Sequence, residues 1–356
     1  MQQCLPQNAP SGDVVPITPA DTPQKLPIYS SIVSLGSLRL QYGYLIDETS
    51  LAVCQYAHRN RRQAVYLVLG GICAHRYVAG TAEHNGSWRE MVGPGKALDT
   101  RDAHIISVDF LGSRQSTAPE QLDEFIISPR DQATVLVRLL DKLQIERLDG
   151  VIGSSYGGNV ALSLAEHYPD RVKQALIVCA AHKACVQTSG YRSVQRAVVR
   201  HCTEQGQAQQ GLALARQLAM LGFRSADEFN QRFAEQARQH EQQIQLAIEP
   251  YLKARGESWS QTTTPAAFIC LSQSCDLTDV KPEQVQIPVW LAAAENDAIV
   301  PFHDVESLAK QLPALHSLTR LESLTGHDAF LTETQQLETL LYAFVTQSNR
   351  IAGVAS

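Results

Sequence analysis

The stretch Leu148-Asp149-Gly150-Val151-Ile152-Gly153-Ser154-Ser155-Tyr156-Gly157 sets an apolar run directly before a G-x-S-x-G pentapeptide, and a helix-like stretch, Asn159 to Tyr168, comes next. An apolar run of this length reads as a buried strand. A G-x-S-x-G sequence between a strand and a helix describes a sharp turn that lifts its central serine into an exposed, strained position. The flanking glycines are needed because side chains there would collide with the neighbouring strand and helix. Ser155 is therefore a candidate nucleophile, although a plain strand-to-helix turn has the same pattern.

A nucleophilic serine needs a base, and the base needs an acid to hold it. In α/β-hydrolase folds these follow the serine in the order acid, then histidine, each after a strand. Val289 to Ala294 reads as a buried strand and is followed at once by Glu295-Asn296-Asp297. Leu318 to Leu324 reads as the next strand, followed by Gly326-His327-Asp328. Ser155, Asp297 and His327 are thus the expected triad. Glu295 is a rival acid, but Asp297 lies closer to the Ile299-Val300-Pro301 turn. His303 and His316 fall in helix-like or loop sequence without a preceding strand and read as surface histidines.

The same topology places the oxyanion hole. One donor is the backbone N–H after the nucleophile, at Tyr156. The other is expected at Ile72, after the strand Ala64 to Leu69 and the pair Gly70-Gly71 that lets the backbone come close.

The 356 residues suffice for one large α/β domain with an insertion, or for two domains. A net charge of −6 without a basic cluster argues against a nucleic-acid partner. No apolar run approaches the ~20 residues of a membrane span, and no Lys/Arg-flanked apolar segment opens the chain, so a cytoplasmic protein without a signal peptide is expected. Eight cysteines in a chain of this length do not read as a disulfide framework. Cys179, His182 and Cys185 cluster with metal-like spacing, but nothing completes a tetrahedral set, so no metal is expected.

Residues 1–27 are proline-rich and read as a flexible tail. Ile28 to Ile46 suggests two strands in a hairpin, and further strands are expected at His104 to Asp109 and Gln174 to Ala180. Ser128-Pro129 opens a helix with a cap and a proline at its first position. Hydrolase core is assigned to 28–188 and 281–356. Between them, residues 189–280 are rich in Gln, Arg and Ala with helical periodicity, and read as a helical lid. Within the lid, Ser225 to Glu228 reads as a capping box opening a helix with Phe229, Phe233 and Ala237 on one face, and Pro250 as an interruption.

The segment Trp88-Arg89-Glu90-Met91-Val92-Gly93-Pro94-Gly95-Lys96-Ala97-Leu98-Asp99-Thr100 resembles the W-x-E-x-V-G-P-G-x-x-x-D-T segment of the homoserine O-acyltransferases of the MetX type. The resemblance continues through Val151 to Gly158, Met220 to Ser225 and Gly326 to Leu331, and spans residues 64 to 345. It implies a ping-pong transfer from acyl-CoA, as co-substrate and without a resident cofactor, to the hydroxyl of L-homoserine in methionine synthesis. Ser155 would carry the acyl group, and His327 would serve as base and then acid. It also implies that Arg224 clamps the amino-acid carboxylate, that Asp328 holds the ammonium, and that the enzyme is a homodimer.

The chain departs from the family at Tyr156, where methionine is usual, at the loop Gly70 to Arg76, and at Asp109, where asparagine is expected. A succinyl donor brings a carboxylate that must find a cation once desolvated. His75, Arg76 and Arg114 are the candidates for it, which favours succinyl over acetyl. Serine O-acylation, a carboxylesterase or thioesterase with the same triad, and a non-catalytic binding protein are the competing readings.

Overall fold

The computed structural model describes residues 28–57, 63–113, 115–234, 237–240 and 243–353. The proline-rich tail and Arg114 lie outside the described residues.

Eight strands form one sheet: β1 (Ile28–Arg39), β2 (Leu45–Tyr56), β3 (Ala64–Leu69), β4 (Ala103–Val108), β5 (Gly150–Ser154), β6 (Ala175–Val178), β7 (Val289–Ala294) and β8 (Leu315–Leu321). Their order across the sheet is β1-β2-β4-β3-β5-β6-β7-β8. The β1–β2 hairpin and the β2–β4 pair are antiparallel, and all other pairs are parallel. Parallel neighbours need crossover helices, and those helices cover both faces. That is why β5 and β7 are buried at every residue. The alternation of side chains along a strand shows in β3. Leu67 and Leu69 join the core that includes Leu136, Val160 and Leu291. Tyr66 and Val68 join the opposite core, with Trp88, Met91 and Phe344. The Trp88-to-Thr100 segment thus lies as a buried, largely irregular layer on that second face, with two short strands, Val92–Gly93 and Leu98–Asp99.

Helix α1 (Pro129–Lys142) starts as its sequence predicts. Ser128 Oγ accepts from the Asp131 N–H while the Asp131 carboxylate accepts from the Ser128 N–H, a complete capping box. Helix α2 (Tyr156–His167) follows β5 with only Ser155 between them. Five helices then intervene before β7: α3 (Val186–Glu204), α4 (Ala208–Phe223), α5 (Ala226–Arg232), α6 (Glu249–Ser260) and α7 (Pro265–Asp276). Helices α3, α4 and α7 share a small core of Val199, Leu212, Ala215 and Ile269. Helices α8 (Phe302–Gln311) and α9 (Thr334–Gly353) complete the chain.

Three details of the helical segment differ from expectation. Ser225 does cap α5, accepting from the Glu228 N–H at 3.0 Å. The Glu228 carboxylate, however, goes to Arg224 and Arg232 rather than back to the cap, and the helix ends at Arg232, before Phe233 and Ala237. Pro250 lies in the first turn of α6, where its missing N–H is not needed, so it opens a helix instead of interrupting one. A two-stranded hairpin, Arg238–His240 with Gln243–Gln245, breaks the all-helical pattern. Among the described residues no helix is long and apolar enough to cross a membrane.

The turn after β5 tolerates no side chain at its glycines. A Cβ on Gly153 would lie 2.3 Å from the Gly157 carbonyl oxygen, and one on Gly157 would lie 2.4 Å from the Leu69 oxygen. Backbone cannot yield as a side chain tip can. Gly157→Ala should therefore destabilise the protein by about 1–3 kcal/mol or more, read as a lowered urea midpoint. An unchanged midpoint would show that the turn has room to spare.

Candidate functional site

Ser155 connects β5 to α2 with φ 52° and ψ −124°, a strained conformation for a residue with a side chain. Its N–H donates to the Val178 carbonyl at 2.9 Å, and the Gly157 N–H donates to the Gly70 carbonyl at 3.1 Å. These bonds tie the turn to β6 on one side and to the loop after β3 on the other.

The structure brings Ser155, His327 and Asp297 into one chain of hydrogen bonds. Ser155 Oγ lies 2.8 Å from His327 Nε2. His327 Nδ1 lies 2.7 Å from Asp297 Oδ2. The other carboxylate oxygen, Oδ1, accepts from the N–H groups of Ile299 and Val300 at 2.8 and 2.9 Å. Those two bonds fix the Asp297 carboxylate and so the imidazole tautomer that carries its proton on Nδ1. Burial alone would lower the His327 pKa, but the charge and hydrogen bond of Asp297, with Asp328 adding to them, outweigh it and hold the pKa above its ordinary value.

The rivals stand elsewhere. Glu295 is exposed and pairs with Arg320 at 3.2 Å. His303 is on the surface of α8 beside Asp304. His316 lies inside a strand, β8, where it stacks on Trp290 with ring centroids 3.7 Å apart, contrary to the loop or helix expected for it.

The loop after β3 runs directly against the nucleophile, since a Cβ on Gly71 would lie 3.7 Å from that of Ser155. Among the described residues, neither the Ile72 nor the Tyr156 N–H donates to a backbone carbonyl. The Tyr156 side chain turns away into the protein: its hydroxyl meets Ser274 Oγ at 2.7 Å and its ring stands edge-on to Phe110. That explains how tyrosine is accommodated where methionine was expected.

Arg224 and Asp328 also come together. Arg224 Nε lies 2.9 Å from Asp328 Oδ2, while Arg224 Nη1 donates to both carboxylate oxygens of Glu228 at 3.2 Å. The first contact is a charge attraction without hydrogen-bond alignment, for Nε is buried and has no aligned acceptor. Burial pushes the Asp328 carboxyl above its ordinary range, with Arg224 and His327 pulling it back. The lid reaches this point through Ser225, whose hydroxyl donates to the Leu324 carbonyl. Phe223 stacks on His327 at 6.0 Å.

The cations expected to receive a donor carboxylate are a different matter. Arg76 donates from its backbone and from Nη1 to the two oxygens of Asp109 at 2.7 and 2.6 Å, and from Nε and Nη2 to Ser30 and Tyr77. Its guanidinium is committed, and Asp109 in place of asparagine is explained by this buried pair. His75 lies against Tyr77 and His84, and burial, reinforced by His84, lowers its pKa, so it is neutral near pH 7. Neither is available as a free cation. Two other cations, Lys183 and Arg192, line the same cavity as Ser155, Tyr156 and Asn159, and of these Arg192 is paired with Asp276 at 2.6 Å. Their signal was weak, because a lid arginine in a Gln- and Arg-rich helix looks like any solvated side chain.

Comparison with known proteins agrees with this geometry. The family model of the α/β-hydrolase fold matches residues 67–334. The chain is 38% identical to the homoserine O-succinyltransferase of Xanthomonas campestris pv. campestris over 280 residues, covering 78% of this chain and 74% of that one. It is 30% identical to the homoserine O-acetyltransferase of Nocardia farcinica over 348 residues, 87% and 91% of the two chains. Among solved structures, homoserine O-acetyltransferase from Bacillus anthracis superposes with a TM-score of 0.82 at 20% identity, over 89% of this chain and 97% of that one. Esterase E22 superposes with a TM-score of 0.79 at 19% identity, over 89% and 100%. The chain belongs to the α/β-hydrolase family and, within it, to the homoserine O-acyltransferases.

Proposed function

We propose that this protein transfers an acyl group from acyl-CoA to the side-chain hydroxyl of L-homoserine through an acyl-enzyme on Ser155. The observation that carries the reading is the Arg224–Asp328 ion pair beside His327. Two opposite charges held together in a buried place form a receptor for a zwitterion, each pole satisfying the other while the site is empty. A general esterase, whose second substrate is water, has no use for it.

The chemistry follows from the bonding. His327 Nε2 takes the Ser155 proton as Oγ attacks the thioester carbonyl carbon. The C–S bond breaks, and the departing CoA sulfur takes the proton from His327. The homoserine hydroxyl then gives its proton to His327 and attacks the acyl carbon. The bond to Ser155 Oγ breaks, and the proton returns to that oxygen. The N–H groups of Ile72 and Tyr156 are the donors for the oxyanion in both halves. Asp297 keeps the imidazole oriented and stabilises its charged form.

A succinyl donor is favoured. Its support is now Lys183 in the lining of the Ser155 cavity, together with the succinyltransferase named among the relatives. A homodimer in the cytoplasm, working in methionine synthesis, completes the reading. Exposed Val186, Tyr191 and Val194 on α3 are apolar surface that a second copy would cover.

Release of free CoA from succinyl-CoA and from acetyl-CoA, each with and without L-homoserine, tests the assignment. Release should depend on homoserine and be faster with succinyl-CoA. Release indifferent to homoserine would indicate a thioesterase, and release driven by L-serine instead would change the acceptor. Ser155→Ala should lower kcat at least ~10³-fold, and substantial residual turnover would reject the acyl-enzyme. Arg224→Ala should raise the homoserine KM by roughly 10- to 100-fold. Unchanged homoserine kinetics would remove Arg224 from the acceptor site.

The raised His327 pKa has a signed consequence. The base must be unprotonated, and a raised pKa means that it keeps its proton to higher pH. The acylation rate should therefore fall as pH drops through an apparent pKa above the ordinary 6.5. Asp297→Asn removes the charge that raises it, so that limb should move to lower pH while kcat falls on the order of 10⁴-fold. A pH–rate profile of CoA release reads both, and a limb below 6.5 in the unaltered enzyme would contradict the assignment.

A further inference from the structure

Two guanidinium N–H donors near His327, the Nε groups of Arg216 and Arg224, are shut off from solvent without an aligned acceptor. Arg224 at least has Glu228 and Asp328 around it. Arg216, on α4, has far less. Its polar contact is Nη1 to Cys73 Sγ at 3.5 Å, and a thiol is a weak acceptor. Among the described residues no carboxylate makes an ion pair with it. Five other lid arginines, at 192, 196, 200, 224 and 232, each have one.

The position of Arg216 gives this deficit a meaning. Its guanidinium carbon lies 4.9 Å from the Phe223 ring centroid and 5.6 Å from that of Trp259, so the group is held over both rings. Phe223 in turn stacks on His327. Cys73 directly follows Ile72 on the loop against Ser155. The charge of Arg216 is also felt at the Asp328 carboxyl. Arg216 therefore spans from the lid to that loop within one layer of side chains of the reacting atoms, on the Asp328 side. The cavity lined by Arg192 and Lys183 lies on the Tyr156 side.

We propose that Arg216 is a second carboxylate anchor of the acceptor site: its guanidinium, with that of Arg224, receives the α-carboxylate of the incoming amino acid while Asp328 takes the ammonium. This rests on the acyltransferase reading and extends it to a residue that the resemblance did not supply. A carboxylate brings two oxygens, and two N–H donors await acceptors. When the ammonium draws Asp328 away from Arg224, the carboxylate replaces it, and Arg216 gains the partner it lacks. The phosphates of CoA are separated from the thioester by the length of the pantetheine arm. An arginine touching the Cys73 loop is therefore matched to a substrate carboxylate and not to a phosphate.

The test compares L-homoserine with 3-aminopropan-1-ol, which is homoserine without its carboxylate, using succinyl-CoA as donor. Arg216→Gln should raise the homoserine KM by roughly 10- to 100-fold and reduce the preference for homoserine over 3-aminopropan-1-ol by the same factor. The Ki of L-2-aminobutyrate, homoserine without its hydroxyl, should rise in parallel. Arg216→Lys should recover part of each loss. Equal losses with both acceptors would reduce Arg216 to lid packing and overturn the proposal. So would a loss of preference for succinyl-CoA over acetyl-CoA with the acceptor ratio intact, since that assigns Arg216 to the donor. Absence of homoserine-dependent CoA release in the unaltered enzyme would overturn the acyltransferase reading itself, and this proposal with it.

Discussion

The site depends on the close approach of three stretches of backbone around Ser155. A residue held at φ 52° and ψ −124° costs on the order of 1–3 kcal/mol and persists only where its surroundings over-determine it. Here they do so from both sides: Val178 accepts from Ser155, and Gly70 accepts from Gly157. The strain aims Oγ out of the sheet and starts α2 at the next residue. The missing side chains at Gly153 and Gly157 let β3, β5 and α2 lie close enough for this. A looser turn would still form a sheet and a helix, but it would not place Oγ 2.8 Å from His327.

Burial makes the second half of the site expensive, and the arrangement of charges answers that cost. Glu228 is buried between Arg224 and Arg232, and Asp328 is half-buried against Arg224. A buried pair that loses one partner is strongly destabilising, whereas an intact pair is near neutral. If Arg224 and Asp328 form the acceptor site, as proposed, then when empty it is best filled by its own opposite charges. An amino acid can displace that contact without leaving a charge uncompensated, because it carries both signs at the right separation. A neutral alcohol or an amine cannot. This turns desolvation, ordinarily a penalty, into a filter for zwitterions.

The fold was legible to the extent that it is written in local pattern. Continuous apolar runs predict parallel strands because both faces are covered, and β5, β6, β7 and the Ser128 cap all lie within a few residues of expectation. The hydrogen-bonded arrangement of Ser155, His327 and Asp297 was legible because their order and strand context follow from topology rather than from distance. The lid was harder. Glu228 fits a capping box by spacing alone, yet two arginines outside the helix interior claim its carboxylate, so α5 is short. Arg76 fits a carboxylate receptor by type alone, yet Asp109, distant in sequence, already holds it. In both cases the competing partner lies on another element or faces another way, and no local pattern contains it. Arg216 is the complementary case: a cation's value to a site depends on lacking a partner, which only the packed structure reveals.

In the proposed reading, the two sets of cations let one histidine serve two substrates in turn. Arg192 and Lys183 stand on the Tyr156 side of Ser155, and Arg216, Arg224 and Asp328 stand on the side of the histidine loop. His327 Nε2 lies at hydrogen-bond distance from Ser155 Oγ. An acyl group held on the first side leaves the second free, so the amino acid can approach the acyl carbon after CoA has left. Water could use the same approach, and what opposes it is packing: Phe223 and Phe330 cover the imidazole, and the lid is tied down at Ser225 to the strand-to-histidine loop and at Thr188 to the acid loop. The lid therefore does two things with one set of contacts. It brings Arg216 and Arg224, the arginines proposed to receive the acceptor, and it closes apolar surface over His327. The end of α4 is what places both, since Phe223 and Arg224 are its last residue and its cap.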